Sequence, residues 1–90
     1  MMRLTYDPAK NARNLELRGL SFDLAEHFDW STALLRVDDR FDYGERRFQA
    51  YGYIDDRLHV LIFTPRGAAV HVISLRKANK REVKLHEQKA

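Results

Sequence analysis

The chain has no cysteine, and among its 90 residues there are only two prolines, four glycines and one tryptophan. Without cysteine there are no disulfides and no thiolate metal ligands, which fits a reducing compartment. The prolines, Pro8 and Pro65, stand far apart, so there is no proline-rich linker. The glycines at 19, 44, 52 and 67 are too scattered to form a phosphate-cradling loop. No apolar run approaches the roughly 18 residues a membrane-spanning helix needs, and there is no secretory h-region; a cytoplasmic protein with no membrane partner is expected. The histidines at 27, 59, 71 and 86 show no ligand spacing, so neither a metal nor a cofactor is expected. Nothing supports a nucleophilic triad. No helix-turn-helix with a basic second helix precedes the strands, so DNA binding by this chain itself is not expected.

What is present is an ordinary globular composition, 44% hydrophobic and 32% charged, with a net charge of +3. Ninety residues suit one domain with a modest core, expected over 1–90. The charge is unevenly spread: residues 76–90 carry +4 and the first 75 carry −1. That basic stretch directly follows the two most apolar runs, Leu58–Thr64 and Ala69–Leu75, separated by Pro65-Arg66-Gly67.

In chain order, Arg3–Tyr6 reads as a short strand. Asp7-Pro8 is a helix start, with Asp as cap and Pro at the first helical position, and Gly19 is a natural stop. Apolar positions in this helix are few (Ala9, Ala12, Leu15), so it presents a largely solvated face. Ser21 caps a second helix with Asp23 in its first turn, and Phe22, Ala25 and Phe28 form a narrow core stripe. Ala33–Val37 is a strand, and Asp38–Glu45 an acidic, Gly-broken loop. From Arg46 to Ile54 the pattern alternates: Phe48, Ala50, Gly52 and Ile54 on one face, Arg47, Gln49, Tyr51 and Tyr53 on the other. Asp55-Asp56 makes a tight hairpin turn. Leu58–Thr64 and Ala69–Leu75 read as central strands, and Asn79-Lys-Arg-Glu82 opens the last helix with a reciprocal capping box. The expected architecture is α+β, order β-α-α-β-β-β-β-α: an antiparallel sheet with helices packed on one face.

The ordered set Tyr6-Asp-Pro-x-Lys10, Asn14, Gly19, Phe22, Ala25, Glu45-x-Arg47, Gly52, Thr64-x-Arg66-Gly67, Ile73-Ser-x-Arg-Lys-Ala78 and Arg81-Glu82 resembles the BrnT family of bacterial type II toxins over nearly the whole chain. The resemblance implies a RelE-like fold and a ribonuclease toxin that arrests growth. It implies a cognate DNA-binding antitoxin, BrnA-like, as partner, usually in a heterotetramer that reaches operator DNA only through the antitoxin. The chain departs from the family pattern at Leu17-Arg18, where Lys-His is common, at Leu75, and at His86, where Tyr is usual. The departures at Leu17-Arg18 and at His86 favour the alternative of a catalytically degenerate, antitoxin-binding and operon-regulating protein.

Metal-independent RNA cleavage needs a group to take the 2′ proton, cations for the pentavalent phosphate and a donor for the leaving oxygen. The candidates are Arg66, Arg76, Glu82 and His86 as catalytic residues, with Arg47, Lys77, Lys80 and Arg81 as RNA-binding cations. A hairpin of the two apolar strands puts Arg66 at its turn and Arg76 at its open end beside Arg57, roughly 20–25 Å apart at ~3.3 Å per residue. Glu45, Arg46 and Arg47 then fall near Arg66. The last helix advances ~15 Å in about ten residues, which would carry His86 toward Arg66. Glu82 doubles as the capping-box partner, and Arg76 has a second reading as an ion-pair partner of Asp55 or Asp56. His59 and His71 read as satisfied histidines within the strands. Tyr51 and Tyr53 read as packing beneath a helix, or as a stacking platform for RNA bases.

Overall fold

A computed structural model describes residues 3–89; Met1, Met2 and Ala90 lie outside the described residues. The chain starts with strand β1 (Arg3–Tyr6) and helix α1 (Pro8–Arg18). Asp7 caps α1 by accepting from the Ala9 amide, and Gly19 ends it at φ 69°, a left-handed conformation that costs a residue without Cβ little. The docking of α1 is polar. Buried Asn14 donates to the carbonyls of Leu20 (3.0 Å) and Leu75 (2.9 Å), and the Asn11 side chain accepts from Phe22 N at 2.7 Å. Leu15 and Leu17 stay exposed.

The second helix is a 3₁₀ helix, Phe22–His27, capped by Ser21. Its buried residues Phe22 and Ala25, with Phe28 just past its end, recur every third residue, the period of a 3₁₀ rather than an α-helix. Four strands follow: β2 (Leu34–Asp38), β3 (Arg47–Ile54), β4 (Arg57–Arg66) and β5 (Ala69–Lys77). Helix α2 (Lys80–Lys89) closes the described chain. The β3–β4 turn is Asp55-Asp56, with Asp55 at φ 55°, and the β4–β5 turn places Gly67 at φ 58°.

The strands form one sheet in the order β1-β5-β4-β3-β2. The expected all-antiparallel sheet is corrected by β1, which pairs parallel to β5 (Thr5 opposite His71). The four-residue β1 leads into α1 and the 3₁₀ helix before the chain reaches the opposite edge at β2, so β1 meets β5 without a hairpin. The expectation of helices on one face is also corrected. Alternation along the paired strands divides the core. Ala50, Ile54, Leu61, Phe63, Val72 and Leu75 pack with the 3₁₀ helix residues Phe22 and Ala25 and with Phe28. Leu58, Val60 and Ala78 form a smaller cluster on the opposite face with Tyr51, Tyr53 and Val83 of α2. Between Ile62 and Phe63 the β4–β5 register shifts, a β-bulge that keeps Leu61, Phe63, Val72 and Leu75 all inward.

Candidate functional site

The face that carries α2 is only partly covered. Register places Arg36, Arg47, Arg66, Arg76, Thr64, His71 and Thr5 on this side, because each pairs within or alternates with a column of same-face residues: Arg36–Gln49, Thr64–His71–Thr5 and Val60–Arg76. Of these four arginines, Arg47 and Arg66 lie beside Glu45 and Arg76 pairs with Glu82, while Arg36 has no ion-pair partner among the described residues.

At the β4–β5 turn, exposed Arg66 lies 3.5 Å from Glu45, and Glu45 lies 3.9 Å from Arg47. The Arg47 guanidinium stacks 3.9 Å above the Tyr43 ring. Buried Thr64 donates its hydroxyl to the Arg46 carbonyl and so pins the end of the 39–46 loop beside Arg66. That loop is anchored at its other end by buried Asp38, which accepts from Arg40 at 2.8 and 2.9 Å and from Tyr43 at 3.4 Å. The Arg40 hydrogen bonds hold the Asp38 carboxyl below the usual carboxylate range. His71 completes this end. Its Nδ1 is 2.8 Å from Thr5 Oγ1. Burial pushes its imidazole below the usual value, and the Arg66 charge adds to that. When Nδ1 donates to Thr5, Nε2 keeps a lone pair for accepting a proton.

At the other end, Arg76 does not pair with Asp55 or Asp56; it makes two 2.8 Å hydrogen bonds to Glu82. Glu82 also accepts from Asn79 N, and Asn79 Oδ1 from Glu82 N, both at 2.9 Å, the reciprocal capping box expected at the start of α2. The Arg76 hydrogen bonds hold the Glu82 carboxyl low, and Glu82 raises Arg76. Arg57 does not meet Arg76; its guanidinium donates to the Ala78 carbonyl.

His86 is not where the helix length suggested. Helix α2 crosses the strands toward β2 instead of returning toward Arg66. Buried His86 therefore donates from Nε2 to the Thr32 carbonyl at 3.0 Å and packs edge-on against Tyr53 at 5.4 Å. Lys77, Lys80 and Arg81 are exposed at the end of β5 and the start of α2. The sequence-derived candidates thus fall into two groups: Arg47 and Arg66 at the turn, and Arg76 with Glu82 near the start of α2. Val60, opposite Arg76, lies six residues before Arg66 along β4, roughly 20 Å at ~3.3 Å per residue. The expected proximity of Glu45 and Arg47 to Arg66 is found, but His71, Tyr43 and Thr5 were missed as members of this cluster. The signal for His71 was its place on β5 opposite Thr64, two residues from Arg66, but the parallel β1 that brings Thr5 beside it has no local sequence signature. Among the described residues, no group of His, Asp and Glu is arranged to hold a metal ion, and no helix is long and apolar enough to cross a membrane.

The fold and this surface define a small α+β domain with arginines along one sheet face. The chain belongs to the BrnT family, the ribonuclease toxins of type II toxin-antitoxin systems, which it matches over residues 6–82. Such a system implies a protein antitoxin as partner. Comparison with curated proteins finds no match.

Proposed function

We propose that this chain is a metal-independent endoribonuclease of RelE-like type that arrests growth, acts in the cytoplasm and is neutralised by a cognate BrnA-like antitoxin, through which alone it reaches operator DNA. The cut is made at the Arg66 end of the open sheet face. The observation that carries this reading is the cluster of His71, Arg66, Arg47 and Glu45 on a solvent-facing surface, whereas Arg76 is held by Glu82 and His86 is enclosed under Tyr53 and Thr32.

In this mechanism neutral His71 takes the 2′ proton through Nε2. The 2′ oxygen attacks the neighbouring phosphorus, and the 5′ oxygen leaves with a proton from solvent. Arg66 and Arg47 stabilise the charge that grows on the phosphorane, where such contacts act most strongly. Arg76 and Lys77, with Lys80 on α2, extend the cationic track for the RNA backbone, while Arg81 lines the groove between α2 and β2 instead. Glu82 serves by orienting Arg76 and capping α2.

The test compares purified wild type with Arg66→Ala, His71→Gln and Arg76→Ala, reading RNA cleavage, growth on induction, and folding by circular dichroism. Folded Arg66→Ala and His71→Gln should each lose on the order of 10²-fold in rate, and Arg76→Ala less than tenfold. The reverse ranking moves the site to the Arg76 end. The alternative reading, an antitoxin-binding protein without cleavage, draws on the neutralised Arg76 and the enclosed His86. Soluble, folded wild type that leaves RNA and growth intact would select it.

A further inference from the structure

Between α2 and the edge strand β2 runs a groove of about 750 Å³, distinct from the Arg66 end of the face. Its floor is apolar: Leu34 and Tyr51 from the sheet, Leu85 from α2. Leu85 is 48% exposed, as a floor residue awaiting a cover would be. Its rim is cationic. Arg36 on β2, and Arg81 and Lys89 on α2, line it, and among the described residues none of the three is ion-paired. The carboxylate that shares this lining, Glu82, is already engaged by Arg76. The adjoining edge is also open. Among the described residues β2 pairs only with β3, so the outer N–H and C=O groups of this five-residue strand have no partner strand there.

We propose that this groove docks an acidic, extended segment of a partner protein, added along β2 as a sixth strand. Main-chain hydrogen bonds to the edge supply the backbone affinity. Alternate apolar side chains lie on Leu34 and Leu85, and carboxylates meet Arg36, Arg81 and Lys89. A nucleic acid fits these features less well. It has no strand amides to satisfy the β2 edge, and the groove's aromatic rings are engaged: the Tyr51 hydroxyl donates to Gln49 at 2.9 Å, and His86 is buried edge-on against Tyr53. The proposal draws on the partner reading above only for the source of the segment, and peptide binding is read independently of cleavage.

The experiment uses the full chain and a labelled ten-residue peptide alternating Glu and Val, with a Lys-for-Glu peptide and a short single-stranded RNA as comparisons, followed by fluorescence anisotropy. The Glu peptide should bind and the Lys peptide should not. The exposed-surface variant Arg36→Glu/Arg81→Glu should weaken binding at least tenfold, and Leu85→Lys should weaken it as well. Two-dimensional NMR should place the shifted amides on β2 and α2, and His71→Gln should leave binding unchanged. Absence of Glu-peptide binding, equal binding by the charge-reversed variant, or shifts confined to the Arg66 end would overturn the proposal. RNA that competes with the peptide and shifts the same β2 amides would reassign the groove to nucleic acid.

Discussion

At the scale of single residues, polar side chains do work usually given to apolar ones. Asn14 is buried on α1, and its one amide nitrogen bridges Leu20 O, just beyond the helix, and Leu75 O in the middle of the sheet. Asn14→Ala leaves both carbonyls without that donor, which costs about 1–3 kcal/mol for buried groups. Asn14→Leu should fare no better, because the loss is of hydrogen bonds and not of volume. The readout is the urea midpoint, and an Asn14→Leu chain as stable as wild type would show that the bridge carries no net stability. His71 is the second residue whose setting matters. Its imidazole is held low by burial first and by the Arg66 charge second. Arg66→Ala should therefore move the His71 titration, followed by NMR, back toward the usual value of about 6.5. If His71 acts as the base, the acid limb of the cleavage rate in wild type lies below that value and moves upward with it wherever residual activity remains measurable. A His71 titration unmoved by Arg66→Ala would remove the electrostatic link between the two groups.

At the scale of elements, two junctions hold the sheet's coverings in place. On one face, Phe28 crosses over Gly52: a Cβ at Gly52 would lie 2.5 Å from the Phe28 ring. Gly52→Ala must displace that ring, which also packs edge-on against Trp30 at 4.8 Å. A destabilisation of about 1–3 kcal/mol is expected, partly recovered by adding Phe28→Leu; additivity of the two changes in thermal denaturation would contradict the packing argument. On the other face, α2 starts at a capping box whose glutamate also carries Arg76. Glu82→Gln can keep the bond from Asn79 N but loses the ion pair, whereas Glu82→Ala loses both. The alanine change should cost about 1–2 kcal/mol and exceed the glutamine change. The caps, the alternation of β3 and the Asp55-Asp56 hairpin were legible because each is local: a few neighbouring residues determine it. The parallel β1, the α2 face and the path of His86 were not, since each depends on which strands become neighbours. The 3₁₀ helix lay between these cases. The period of three in Phe22, Ala25 and Phe28 was visible but also fits an α-helical stripe over so short a span. The candidate site divides the same way. Arg66 with Glu45 and Arg47 followed from the hairpin, while His71 beside Thr5 needed the sheet order.

For the whole molecule, the buried and paired ionisable groups set how stability depends on pH. His59, whose Nδ1 donates to the Arg57 carbonyl at 2.8 Å, is pushed low mainly by burial, as is His71. A histidine whose pKa is lower folded than unfolded contributes stability that is complete above the unfolded value, about 6.5, and is lost as pH falls toward the folded one, because the unfolded chain binds more protons there. Asp38 and Glu82, held low by Arg40 and Arg76, add a second loss under more acid conditions, beginning near the usual carboxylate values of about 4. Tyr6, raised by its hydrogen bond to Asp23, acts in the opposite sense: its contribution is present below about 10 and lost above. The expected profile of urea midpoint against pH is a plateau between about 7 and 9, a first decline below about 6.5 and a steeper one below about 4. His59→Gln with His71→Gln should flatten the first decline and leave the second in place. A first decline that survives both replacements would assign it to other groups. Loss of both declines together would mean that the histidine and carboxylate losses are not separable.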